Sequence, residues 1–162
     1  MKKFLIFIFA ILIVALAAYV VHDNLTPSKG EIEDLIYKQA AIVLSYEDTS
    51  NPLISAMFNN AEVDVEKVEK GSEGYVASCK IGNYNFKSAY DKCTSENHIS
   101  TLNKFTSDFI SALQHEEKVY TTVQINIKKD VDGNYMAELT ELDIDVLMGG
   151  FITFCAFYYE TE

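Results

Sequence analysis

The sequence predicts an α+β fold: an antiparallel sheet of about four strands with helices packed on one face, preceded by an N-terminal transmembrane or signal helix. Three observations carry this expectation. An unbroken apolar run, Phe4 to Val21, opens the chain. The residues after it alternate between segments with a 3.6-residue apolar period and segments with a two-residue period. Two pairs of the latter are joined by turn-forming residues, Lys70-Gly71-Ser72-Glu73-Gly74 and Asp130-Val131-Asp132-Gly133-Asn134.

The apolar run has the length of a minimal span, since a hydrocarbon core of about 30 Å needs about 20 helical residues at about 1.5 Å each. Lys2-Lys3 on one side and His22-Asp23 on the other orient such a span with the lysines inside, which places the chain after Val21 outside the cytoplasm. The same stretch also fits a cleaved secretory signal, with a charged start, an apolar Phe4 to Val14 and the small-residue site Ala15-Leu16-Ala17. The first reading makes a single-pass protein of the cell membrane and the second a secreted one. Residues 1–21 are accordingly assigned to an anchor or signal peptide, 22–30 to a linker carrying Pro27 and Gly30, and 31–162 to an extracytoplasmic domain.

Ser28-x-x-Glu31 is a capping box that opens a helix running to about Tyr46, with Ile32, Leu35, Ile36, Ala40, Val43 and Leu44 on one face. Asn51-Pro52 opens a second, short helix to about Phe58. Val63 and Val65 alternate with acids, and Tyr75, Ala77, Cys79 and Ile81 answer them across the first turn as a β-hairpin. A polar stretch holding Tyr84, Phe86 and Tyr90 separates this hairpin from a helix built on Ile99, Leu102, Phe105, Phe109, Ile110 and Leu113. Val119, Thr121, Val123, Ile125 and Ile127, then Tyr135, Ala137 and Leu139, form a second hairpin. Ile144, Leu147, Met148, Phe151 and Phe154 are expected on one docked helix, with Gly149-Gly150 allowing close approach. Were that segment peripheral, Phe151, Phe154, Phe157, Tyr158 and Tyr159 would form the candidate interaction patch for a partner or a membrane surface.

The net charge is −11, and two of the 13 basic residues lie ahead of the apolar run, so the exported part is more acidic still. Such a surface disfavours nucleic acid and anionic lipid as partners. Cys79, Cys93 and Cys155 allow at most one internal disulfide, and Cys79 with Cys93 is the natural candidate pair; three free, packed thiols are the alternative. Neither a nucleophile elbow, a paired-histidine zinc motif nor a glycine-rich phosphate loop is present. Asp130-x-Asp132-Gly133 places its glycine too early for a calcium loop, and Glu138, Glu141, Asp143 and Asp145 fit a strand edge and a helix N-terminus better than an acid–base pair. His22, His98 and His115 are scattered. No catalytic, cofactor-binding or metal-binding residue is assigned, and no cofactor is expected.

The element order, with Leu147-Met148-Gly149-Gly150 at its close, resembles the cystatin-like and nuclear-transport-factor-2-like group of small exported proteins of Gram-positive bacteria, over roughly residues 31–150. The chain departs from that group in having neither a lipid-modified cysteine after its leader nor a tryptophan before its last helix. The resemblance implies a cone between a curved sheet and its helices, with Tyr75, Tyr84, Tyr120 and Tyr135, and also Tyr90, as candidate pocket lining. The functional expectation is a membrane-tethered binding domain without catalysis that meets an envelope protein or ligand. A structural subunit of an envelope assembly, such as a conjugative or type IV secretion complex, and a small-molecule binder or isomerase are the alternatives.

Overall fold

The computed structural model describes residues 26–45, 51–96, 101–113 and 115–160, with Ile11 and Val14, the side chains at 45, 96, 102 and 158–160 excepted. The capping box is formed: the Ser28 N–H and hydroxyl both donate to the Glu31 carboxylate at 2.7 Å, and the Glu31 N–H returns to the hydroxyl. These bonds hold the Glu31 carboxyl below its usual range. They start helix α1 (Lys29–Ser45), whose Ile32, Ile36, Ala40 and Leu44 repeat every fourth residue and are buried. Val43, expected on that stripe, is exposed. In α2 (Pro52–Asn60), Asn51 accepts the Leu53 N–H at 2.9 Å and Ile54 and Met57 face inward.

Four strands, β1 (Glu62–Lys70), β2 (Tyr75–Tyr84), β3 (Lys118–Lys129) and β4 (Tyr135–Glu138), pair antiparallel in the order β1-β2-β3-β4. Registers such as Val65 with Cys79 and Cys79 with Val123 set the alternating apolar residues side by side. Val63, Val65, Ala77, Cys79, Ile81, Ile125, Ile127 and Ala137 are all buried, sharing one core with the inward residues of the helices. A bulge between Val65 and Lys67 shifts the phase of β1, so that Val68 turns inward again. The second turn closes as expected: Asp130 donates its N–H to the Asn134 carbonyl, its carboxylate accepts the N–H groups of Asp132 and Asn134, and Gly133 sits at φ +84°.

Two elements differ from expectation. The polar stretch after β2 is a helix, α3 (Phe86–Glu96), which precedes α4 (Leu102–Leu113). Asn85 caps it by accepting the Ser88 N–H at 2.9 Å, and Phe86, Ala89, Tyr90 and Cys93 form its inward face. Its surface positions are lysine, serine and aspartate, which lowers its mean hydropathy below the level that makes a helix conspicuous. The expected single C-terminal helix is two: α5 (Glu141–Leu147) and α6 (Phe151–Glu160). Gly149 at φ +62° and Gly150 at φ +84° end α5 in a left-handed turn, with Gly150 donating to the Asp145 carbonyl.

Among the described residues no helix is long and apolar enough to cross a membrane. The expected anchor or signal helix lies outside the described residues but for Ile11 and Val14, as do Ile99 and the linker up to Leu25.

The glycine pair yields a differential expectation. A Cβ on Gly149 would stand 2.0 Å from the Tyr84 carbonyl oxygen, whereas one on Gly150 would meet nothing within 4 Å. Gly150→Ala should therefore cost only the left-handed penalty, about 1–2 kcal/mol, and Gly149→Ala at least twice that, as read by urea unfolding. Equal losses would mean that Gly149 is not tightly packed on β2.

Candidate functional site

The end of β2 is where several elements converge. Asn83, 2% exposed, donates its side-chain amide to the carbonyls of Met57 in α2 and Leu147 in α5 and accepts the Tyr84 N–H. Phe86, the first residue of α3, donates its N–H to the Gly149 carbonyl at 2.9 Å. Asp145, buried in α5, accepts the Ile152 and Thr153 N–H groups at 2.8 and 3.1 Å and the Thr153 hydroxyl at 2.5 Å, and so caps α6.

Cavities meet around this corner. One of about 200 Å³ lies among Asn83, Val119, Thr121, Val146 and the two glycines. A groove of about 540 Å³ runs between α3 and α6 over Tyr90, Phe154 and Phe157, with Lys87 and Asp91 on its rim. Asn85, Asp145, Gly149 and Gly150 line both. The groove floor is aromatic because Phe86 packs against Phe109, Phe151 and Phe154 at centroid separations of 4.8, 4.9 and 5.2 Å, and Tyr90 against Phe154 at 4.7 Å. A third, charged groove holds Lys87, Lys92, His115 and Glu116; Glu116 pairs with Lys92 at 2.5 Å and accepts the Ser88 hydroxyl at 3.1 Å.

The expected pocket tyrosines do not converge. Tyr75 and Tyr135 stack edge to face at 5.8 Å on the helix side of the sheet. Tyr84 and Tyr120 stand at even positions of the ladder, on the opposite side, because side chains alternate along a strand. The Lys118 ammonium lies 5.4 Å over the Tyr84 ring. Tyr120 covers Gly82 and donates its hydroxyl to Glu62, and that hydrogen bond, with the carboxylate's charge, pushes the phenol pKa up. In the expected patch, Phe151 and Phe154 are half-buried against the core and Phe157 is 66% exposed; the side chains of Tyr158 and Tyr159 lie outside the described residues. In the acidic run, Glu138 pairs with Lys128, while Asp143 and Thr140 form the capping box of α5. His115 Nδ1 lies 2.8 Å from the Ser111 carbonyl, and His22 and His98 are outside the described residues.

All three cysteines are free thiols in place of the expected Cys79–Cys93 bridge. The two belong to different neighbourhoods: Cys79 lies under the charges of Glu33 and Asp143, while Cys93 sits against α4, its sulfur 3.9 Å from the Phe105 carbonyl. Cys93 lies on α3, the helix unrecognised in the sequence, and Cys79 on β2.

Asn83 and the shape of the sheet beside it were not found by sequence reasoning. β4 pairs only with Asn126–Lys129, so β3 from Lys118 to Gln124 has β2 on one side and no strand on the other among the described residues. Val119 is 55% exposed and Tyr120, Thr121, Thr122 and Gln124 are exposed with it. The signal was present in the unequal lengths of the two alternating runs of that hairpin. No family model, curated protein or solved structure matches the chain.

Thiol chemistry tests this packing. Burial pushes the Cys79 thiol up to about 11, and Cys93 and Cys155 are raised for the same reason. Native protein without reductant should show three alkylatable thiols once unfolded, with Cys155 reacting first in the folded state and Cys79 last. Because the folded-state value of Cys79 exceeds the unfolded one, its contribution to stability is complete below about pH 9 and is lost as pH rises toward about 11. A mass two protons lower than the fully reduced chain would restore the bridge.

Proposed function

We propose that this chain is a membrane-tethered extracytoplasmic binding domain, of the cystatin-like or nuclear-transport-factor-2-like kind, that works by holding an envelope protein and carries out no catalysis. The observation that supports this most is the groove between α3 and α6: an aromatic floor at the surface, with Phe157 exposed over it. An apolar cleft rimmed by one ion pair, Lys87 with Asp91, suits the apolar side chains of a protein partner. The polar groups of the adjoining cavity are engaged within the fold: both Asp145 oxygens bond the start of α6, and the Asn83 amide bonds two carbonyls. The isomerase alternative would need a free acid beside a tyrosine hydroxyl, and the Asp145 carboxylate that lines both cavities is taken up by Ile152 and Thr153 at the start of α6. The apolar run Phe4 to Val21, with lysines ahead of it, supports the tether and its orientation.

The full chain should remain with membranes through alkaline carbonate extraction, and a chain lacking residues 1–25 should not. A photo-crosslinking amino acid at position 157, in intact cells, should yield adducts with an envelope protein. Recovery of a soluble form beginning near Ala18 would make the protein secreted, and absence of protein adducts at 157 would remove the groove as its binding surface.

A further inference from the structure

We infer that the open edge of β3, Lys118–Gln124, receives an extended segment of a partner polypeptide as an added antiparallel strand. The inference rests on the reading of this chain as a binding domain and names how its partner is held. The hairpin fixes which way the backbone points. Asp130 donates its N–H to Asn134, so in the β3–β4 ladder the even-numbered residues of β3 bond toward β4, and the odd-numbered ones bond toward β2. Beyond Asn126, where β4 ends, the N–H and carbonyl groups of Tyr120, Thr122 and Gln124 therefore point to a side that no strand occupies among the described residues.

The two edges of this sheet are built differently. β1, the other edge, carries a bulge and is charged at Glu62, Asp64, Glu66, Lys67, Glu69 and Lys70, the devices by which edge strands resist pairing. Val119-Tyr120-Thr121-Thr122-Val123-Gln124 has no charge, no proline and no bulge, and is rich in residues that favour strands. The open stretch is long enough for about seven residues, roughly 23 Å at about 3.3 Å per residue. In an added strand, the side chains opposite Val119 and Thr121 would face the cavity of about 200 Å³ that those two residues line, next to Val146 and Gly150. That cavity shares its walls with the α3–α6 groove, so one extended chain can serve both. Exposed Glu117 precedes the open stretch and exposed Glu141 follows β4, in a chain of net charge −11, which favours a segment with basic ends. A second copy of this chain fits less well, because two-fold pairing centred on Thr121, the middle of the stretch, would bring together two chains that each carry a net charge of −11. Main-chain bonds supply the affinity in this mode of recognition, and the pockets for alternate side chains supply the selectivity.

The test is amide hydrogen exchange of the full chain in detergent micelles, resolved by residue, with and without an end-blocked synthetic heptapeptide, Lys-Val-Thr-Val-Thr-Val-Lys. In the free chain the amides of Tyr120, Thr122 and Gln124 should exchange fast and those of Val119, Thr121 and Val123 slowly. Peptide at ten times its dissociation constant should slow the even-numbered set about tenfold, as mass action requires. The same peptide N-methylated at the positions that bond β3 should bind at least tenfold more weakly, and N-methylation at the intervening positions should change little. Even-numbered amides already slow in the free chain, or slow only at high protein concentration, would show the edge filled by this chain or by a second copy and would overturn the inference. Protection confined to the residues around Phe154 and Phe157, equal losses with both methylated peptides, or no response to peptide would overturn it as well. Crosslinking from position 157 stands or falls separately, so the binding reading is judged on its own result.

Discussion

The side-chain amide of Asn83 donates to the Met57 carbonyl near the end of α2 and to the Leu147 carbonyl at the end of α5, while its oxygen accepts the N–H of the next residue. Two helices that follow different parts of the chain are thereby fixed to one point of β2. A helix leaves its last carbonyls without partners inside the helix, and in a buried corner only another part of the protein can satisfy them. The corner is completed by Gly149, whose lack of a side chain lets α5 lie on the Tyr84 carbonyl, and by the Phe86 N–H, which starts α3 on the Gly149 carbonyl. Removal of the amide would leave these carbonyls buried and unpaired, and the positions of α3, α5 and α6 all refer to them.

The surfaces that the chain presents follow from that corner. α5 is held under β2 and the chain turns at the two glycines, so α6 packs against α3 and leaves a groove over Tyr90 and Phe154. The early end of β3 leaves Val119 and Thr121 exposed and has no strand beside Tyr120 and Thr122 among the described residues. The acids that a sequence reader would examine first, Asp143 and Asp145, hold the starts of α5 and α6. Polar chemistry at this corner builds the scaffold, and the apolar groove and open edge remain at its surface.

Much of the fold was legible because the local signals were strong. Ser28 with Glu31, Asn51-Pro52 and Asp130 with Gly133 each fix a turn or a helix start by bonds within a few residues, and the structure makes those bonds. Period-two alternation placed Val63, Val65, Ala77, Cys79, Ile81, Ile125 and Ile127 on one face, where all are buried. α3 was missed because its face of Phe86, Ala89, Tyr90 and Cys93 is diluted by lysine, serine and aspartate, although Asn85 is a good cap. The break between α5 and α6 was missed because an apolar face continues across Gly149-Gly150, and only the positive φ angles show that the axis turns. The site itself was scarcely legible. Tyrosine spacing does not say on which side of the sheet Tyr84 stands, and nothing near Asn83 in sequence announces partners 26 and 64 residues away.

Urea unfolding of Asn83→Asp tests the account most directly, since the substitution keeps the shape and the acceptor for Tyr84 while replacing two donated hydrogen bonds by a carboxylate facing two carbonyls. A loss of about 3 kcal/mol or more at pH 7 is expected, from unsatisfied buried groups at about 1–3 kcal/mol each. A loss below about 0.5 kcal/mol, the range of an ordinary surface change, would contradict the claim that this amide holds the corner together.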